Sequence, residues 1–165
     1  MDTITDLTES KTVPAWIPTR KDETFTSDDL IDAYLHGKKD AFATAQRLAQ
    51  DKFNANIEKS KDITVNLLNI LRDNNFTPID AYLRFNGFDY FEIMVTIPED
   101  DFTADGFSEM YDVISGIEDR NNEKYYEVFI SFCPVNEHFE ELIVSSDGYL
   151  LKLLDNDTQR TRSAQ

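Results

Sequence analysis

Residues 82–98, YLRFNGFDYFEIMVTIP, alternate apolar and polar side chains on both sides of Asn86-Gly87. A β-strand turns successive side chains to opposite faces, so a period of two commits this stretch to strand. Asn-Gly between two such runs is the strongest short-range signal for a hairpin. Leu83 and Phe85 share one face of the first strand, and Phe91, Ile93, Val95 and Ile97 share a face of the second, which Pro98 ends. An isolated hairpin is marginal in water, so the rest of the chain must supply another strand and helical cover.

The segment after Pro98 changes period. Phe107, Met110, Tyr111, Ile114 and Ile117 fall at three- and four-residue intervals and make a helix stripe. YYEVFISFC then alternates again, with Tyr126, Val128, Ile130 and Phe132 together before Pro134. Further on, Phe139, Leu142 and Ile143 suit a short helix ended by Gly148 and followed by a strand. ELIVSS-DG-YLLKLL also reads as a hairpin around Asp147-Gly148, and the first reading is preferred. The polar residues 155–165 read as a disordered tail.

Upstream lies helix. Thr26 or Ser27 is placed to cap, Asp28 and Asp29 suit the first turn, and Leu30, Ile31, Tyr34 and Leu35 share a face up to Gly37. A second helical pattern starts near Asp40 with Phe42, Ala45, Ala49, Phe53 and Ile57, and resumes from Ile63 through Leu67, Leu68, Ile70 and Leu71. Unbroken, it would be about 50 Å long, so a break or bend is expected in EKSKD, residues 58–62, where Ser60 either caps a new helix or faces solvent. Asn74, Asn75, Thr77 and Pro78 stop it.

These elements describe a single α+β domain over residues 26–154, with a helical part at 26–76 and a sheet part at 79–154. The strands should form a small, mainly antiparallel sheet of β-β-α-β order. One face packs on the helix near 107–118, and the N-terminal helices cover the other face or an edge. Residues 1–25 read as an extended or disordered arm. Within it VPAWIP sets Val13, Trp16 and Ile17 among Pro14 and Pro18, an apolar anchor that docks on this chain's own helices or on a partner.

Charge narrows the function classes. The chain has 16 Lys+Arg against 32 Asp+Glu, a formal net charge of −16. Residues 77–165 hold 6 of those cations and 19 of the carboxylates, net −13. Such a surface repels phosphate backbones and attracts a basic partner protein, so direct nucleic-acid binding is not expected. No apolar run reaches the length of a membrane span, MDTITDLTES has no signal-peptide character, and Cys133 is the sole cysteine; together these suggest a cytoplasmic protein.

The second face of the predicted sheet carries the candidate site. Arg84, Tyr90 and Glu92 on the hairpin and Tyr125 and Glu127 on the next strand place charges beside phenol rings, as in the lining of a ligand groove. The simpler reading is that opposite charges pair across neighbouring strands. The hairpin-helix-strand unit around FDYFEIMVTIPEDDF resembles the minimal nucleotidyltransferase scaffold, in which carboxylates on adjacent strands hold metal ions. That resemblance implies Asp89, Glu92 and Glu127 as candidate ligands. The Gly-Ser turn of that family is missing, and a spacing of three puts Asp89 and Glu92 on opposite faces of a strand.

Two other patterns have structural explanations. In DFTADGFSEMYD, the residues Asp101, Thr103, Asp105, Gly106, Glu109 and Asp112 fall at EF-hand loop positions. Thr103 or Asp105 capping the following helix accounts for the same residues without a metal. Cys133 and His138 flank Pro134 with no orienting group between them, so Cys133 reads as a buried structural cysteine. His36 suits the negative end of its helix.

No catalytic residue, cofactor or metal is therefore expected. The favoured reading is a non-enzymatic, acidic protein-interaction module of the antitoxin, immunity or regulatory-subunit type, binding a basic partner through surfaces that include Trp16 and Ile17. The alternative is a small-ligand binder or enzyme on a degenerate nucleotidyltransferase-like scaffold. The apolar strand YYEVFISF at a sheet edge would also favour a homo-oligomer.

Overall fold

The computed structural model describes residues 13–19, 26–37 and 46–155. The strands are β1 (Ala15–Pro18), β2 (Asp80–Asn86), β3 (Tyr90–Pro98), β4 (Glu127–Val135) and β5 (Leu151–Leu154). The helices are α1 (Ser27–Gly37), α2 (Gln46–Asp73), α3 (Glu99–Phe102), α4 (Glu109–Asn121) and α5 (Glu141–Ser146). The five strands form one sheet in the order β1-β5-β2-β3-β4.

The α+β class holds, and the sheet is mixed. Asn86 and Tyr90 close the β2–β3 hairpin around Gly87, whose φ of 79° is left-handed and suits glycine. β2 also runs antiparallel to β5, and β5 to β1. β4 pairs parallel to β3, with Phe91 beside Val128 and Ile93 beside Ile130. The expectation of a mainly antiparallel sheet overlooked the consequence of a helical crossover, which returns the chain in the same direction. The β-β-α-β order is present as β2, β3, α3–α4 and β4, with one further strand at each end of the chain.

α2 corrects a second expectation. It runs unbroken from Gln46 to Asp73. The start proposed near Asp40, with Phe42 and Ala45, lies outside the described residues. In EKSKD, Ser60 neither caps nor faces solvent. Its Oγ donates back to the Asn56 carbonyl at 2.9 Å and lies 2.9 Å from the Tyr126 phenol oxygen, fully buried. Thr64 bonds the Ser60 carbonyl at 2.7 Å in the same way. The neighbouring charges are carried outward, where Lys59 donates to the Asn121 carbonyl at 2.9 Å and Lys61 pairs with Glu58 at 2.5 Å. A polar stretch inside a helix is tolerated when each hydroxyl finds a local acceptor.

The core lies on one side of the sheet. Phe53 of α2 packs against Phe85 at 5.2 Å and Phe91 at 6.0 Å, and Phe91 stacks on Tyr126 at 5.4 Å. Met110, Ile114 and Ile117 of α4 join the same buried cluster as Ile93, Val128 and Ile130. The N-terminal helix α2 therefore shares the α4 face, and the expectation that the N-terminal helices cover the other face or an edge does not hold for it. Asn56 Nδ2 ties this layer together by donating to the carbonyls of Phe88 and Tyr125 at 3.0 and 2.9 Å.

β1 is part of the sheet, so the reading of residues 1–25 as an arm outside the domain fails for residues 13–19. Trp16 is 6% exposed, and its indole Nε1 donates to the Ile57 carbonyl of α2 at 3.2 Å. Of the two docking sites open to this tryptophan, the chain's own helix is the one it takes. Thr26 caps α1 reciprocally with Asp29: Asp29 N–H donates to Thr26 Oγ1 at 3.2 Å, and Thr26 N–H to Asp29 Oδ2 at 2.8 Å. The helix-strand reading of the C-terminal segment agrees with α5 and β5.

Candidate functional site

Among the described residues, the face of the sheet turned away from α2 and α4 is only partly covered. α5 lies over the β2–β5 side of it. Its Glu141 accepts from Lys152 Nζ at 2.7 Å and from the Tyr82 phenol at 3.2 Å, while Lys152 also lies 3.6 Å from Asp80. Sequence reasoning missed this cluster, because the period of two shows that Lys152 shares a face with Tyr82 only once β5 is known to pair with β2.

Beside it lies an open groove of about 320 Å³ lined by Arg84, Phe85, Asn86, Tyr90 and Glu92. Arg84 and Glu92 are direct cross-strand partners in the hairpin. The guanidinium of Arg84 reaches Glu92 Oε2 through both Nε and Nη2, and the Tyr90 phenol donates to Glu92 Oε1 at 3.1 Å. Arg84 Nη1 also donates to the Asp147 carbonyl at 2.9 Å, and its guanidinium lies 4.8 Å from the Tyr149 ring centre. Gly148 makes that approach possible: its φ is 93°, and a Cβ there would lie 3.2 Å from Arg84 Cδ.

The chemistry of this groove is that of a joint. Both Glu92 oxygens are engaged, with three of a carboxylate's about four acceptor positions filled from within the chain. Burial, then the neighbouring Glu92, pushes the Tyr90 phenol above its usual range, and burial does the same to Tyr149. Both rings are therefore neutral donors at neutral pH. The arrangement locks β2, β3 and the turn before β5 together, as expected for charges paired across strands.

The remaining candidates are dispersed. Glu127 sits opposite Tyr90 in register and is exposed. Tyr125 precedes β4, 57% exposed, with Lys124 Nζ 5.1 Å from its ring centre. Asp89 lies in the hairpin turn, where its carbonyl accepts the Glu127 N–H at 2.5 Å. Asp89, Glu92 and Glu127 form no ligand set, and among the described residues no group of three His, Cys, Asp or Glu is placed to hold a metal ion.

The EF-hand pattern also resolves into backbone roles. Asp101 accepts the Thr77 N–H at 2.7 Å, Gly106 makes the turn with φ of 86°, and Glu109 and Asp112 lie on α4. The expected cap by Thr103 or Asp105 is not formed. Thr103 Oγ1 instead bonds the Glu99 carbonyl at 3.0 Å, and Ser108 opens α4 without a side-chain bond. Cys133 is half-buried on the open face of β4, and not a core residue as expected; burial still raises its thiol pKa. His138 is exposed beside Glu137, and His36 is exposed in the last turn of α1.

No helix among the described residues is long and apolar enough to cross a membrane. Comparison with known proteins returned no match to any family model, to any curated protein or to any solved structure. The reading of function therefore rests on the chemistry of this chain alone.

Proposed function

We propose that this chain is a non-enzymatic, acidic interaction module that binds a basic protein partner in the cytoplasm, in the manner of an antitoxin, immunity protein or regulatory subunit. The observation that carries this reading is the acidic stretch that runs through α3, α4 and the start of β4, in which, among the described residues, Glu123 alone is paired with lysines of α2. Residues 99–127 contain ten carboxylates against two cations, Arg120 and Lys124. Among these charges Tyr111 is 44% exposed on α4 and Tyr125, just before β4, is 57% exposed, while Phe129 is 51% exposed on the sheet face turned away from α4. Rings set in a field of one sign supply both parts of a protein-binding surface: steering by charge and anchoring by aromatic area. The groove at Arg84 supports a ligand-binding or nucleotidyltransferase-like function less well, because its polar groups are already satisfied by one another.

The test is stoichiometric capture of a partner at physiological salt, followed by charge reversal with Glu109→Lys/Asp112→Lys. Association should slow by about tenfold and lose most of its salt dependence. A chain that captures no protein, or a partner whose binding ignores the reversal, rules this reading out.

A further inference from the structure

β4 is an edge strand, and its outer side is not bare. Glu127 N–H points to β3, where it meets the Asp89 carbonyl, so alternation turns the backbone groups of Val128, Ile130, Phe132 and Pro134 to the free edge. Two of those donors are occupied from the C-terminal end of α4 and its cap. Asn122 Oδ1 accepts the Val128 N–H at 2.8 Å, and Glu118 Oε1 accepts the Ile130 N–H at 2.7 Å. Pro134 has no N–H, which leaves Phe132 as the one further donor on that side. Glu118 lies in the last turn of α4 and Asn122 is the C-cap residue just beyond it, with extended backbone, so the end of the helix brings both acceptors to the edge.

We infer that Glu118 and Asn122 are an edge guard, which prevents β4 from pairing with the β4 strand of a second copy of this chain. The second copy is the occupant that the strand itself favours. An antiparallel pair centred on Ile130 joins Val128 to Phe132, Phe129 to Ser131 and Glu127 to Cys133, so no carboxylate faces another across the junction. The other end of the sheet limits the assembly. β1 is four residues long and bounded by Pro14 and Pro18. With one edge openable and one closed, loss of the guard yields a two-fold dimer and no filament.

The experiment compares the full-length chain with Glu118→Ala/Asn122→Ala by sedimentation and by amide exchange at physiological salt, where repulsion between copies is screened. The double variant should self-associate about tenfold or more tightly than the unaltered chain, and stop at dimers. Glu118→Gln keeps an acceptor oxygen while removing the charge, and should remain monomeric like the unaltered chain. A Gln variant that dimerises as strongly as the Ala variant would show that charge, and not the occupied N–H, keeps copies apart, and would overturn the inference. A double variant that stays monomeric with the Val128 and Ile130 amides exchanging freely would overturn it too. Equally, amides at 128 and 130 that stay protected in a monomeric variant would show that the side-chain acceptors do nothing. Should the double variant fail to fold, Glu118→Ala and Asn122→Ala singly each open one donor and carry the same comparison.

Discussion

At one edge of the sheet, Thr19 N–H bonds the Leu150 carbonyl at 3.1 Å, which fixes the bonding parity of β1 against β5 and turns Pro14, Trp16 and Pro18 to the outside. Two of those three residues have no N–H to offer. At the other edge, β4 turns out Val128, Ile130 and Phe132 before its one proline, Pro134, and the C-terminal end of α4 with its cap Asn122 supplies the acceptors. The first edge is closed by what the strand lacks and the second by what a neighbouring helix adds. Their anchors differ in the same way: Trp16 holds β1 to α2 by area and one indole bond, whereas Tyr126 roots β4 by a buried phenol against Ser60. A closure by covalent structure is insensitive to conditions, and a closure by side-chain acceptors is open to mutation and competition.

The largest effect should come from removing the β1 anchor. Trp16→Ala empties a buried site and unmoors a four-residue strand, so it should cost about 3–5 kcal/mol in denaturant unfolding. A loss below about 1 kcal/mol would mean that β1 is held by its backbone pairing to β5 alone. The comparison would then rest on the prolines and not on the anchor.

The β4 anchor is sensitive to pH. Burial pushes the Tyr126 phenol up to about 12 from an ordinary 10.0, against a smaller opposing effect of the Ser60 hydrogen bond. The folded value is raised, so the stabilisation is fully present below the unfolded pKa and is lost as pH rises toward the folded one. Between about pH 10 and 12 the unfolded chain binds fewer protons than the folded chain, and stability should fall by about 2–3 kcal/mol. Tyr126→Phe should flatten that decline, and Trp16→Ala should leave its slope unchanged. Equal slopes in the parent and the Phe variant would remove Tyr126 from the account.

The two edges also differ in how far they could be read beforehand. The prolines of VPAWIP stand in the sequence, yet a six-residue segment isolated before the first helix has no period long enough to announce a strand. Its pairing with Leu151–Leu154 spans more than 130 residues. The β2–β3 hairpin was legible because alternation and Asn86-Gly87 are local, and the Arg84–Glu92 pair followed from register. Glu118 and Asn122 carry no such signal. Their role depends on where the end of α4 lies relative to β4, a tertiary fact that no spacing encodes. Ser60 misled for a related reason: a hydroxyl in a charged stretch resembles a cap until the i−4 carbonyl and the Tyr126 phenol are seen to take it.

The smallest effect belongs to the proline closure. Pro18→Ala removes no hydrogen bond, because proline had none to give, and the extended backbone of β1 suits alanine. The cost arises in the unfolded chain, which gains conformational freedom, and should be about 0.4–1 kcal/mol. The substitution also places a new N–H on the outer edge, where water satisfies it. With Trp16 flanked by only one such donor, the edge is too short to template a second strand, so the variant should sediment as the parent does. Self-association of Pro18→Ala as tight as that of the opened β4 edge would show that a single missing donor, and not strand length, closes β1, and the two edges would then be guarded by equally fine margins.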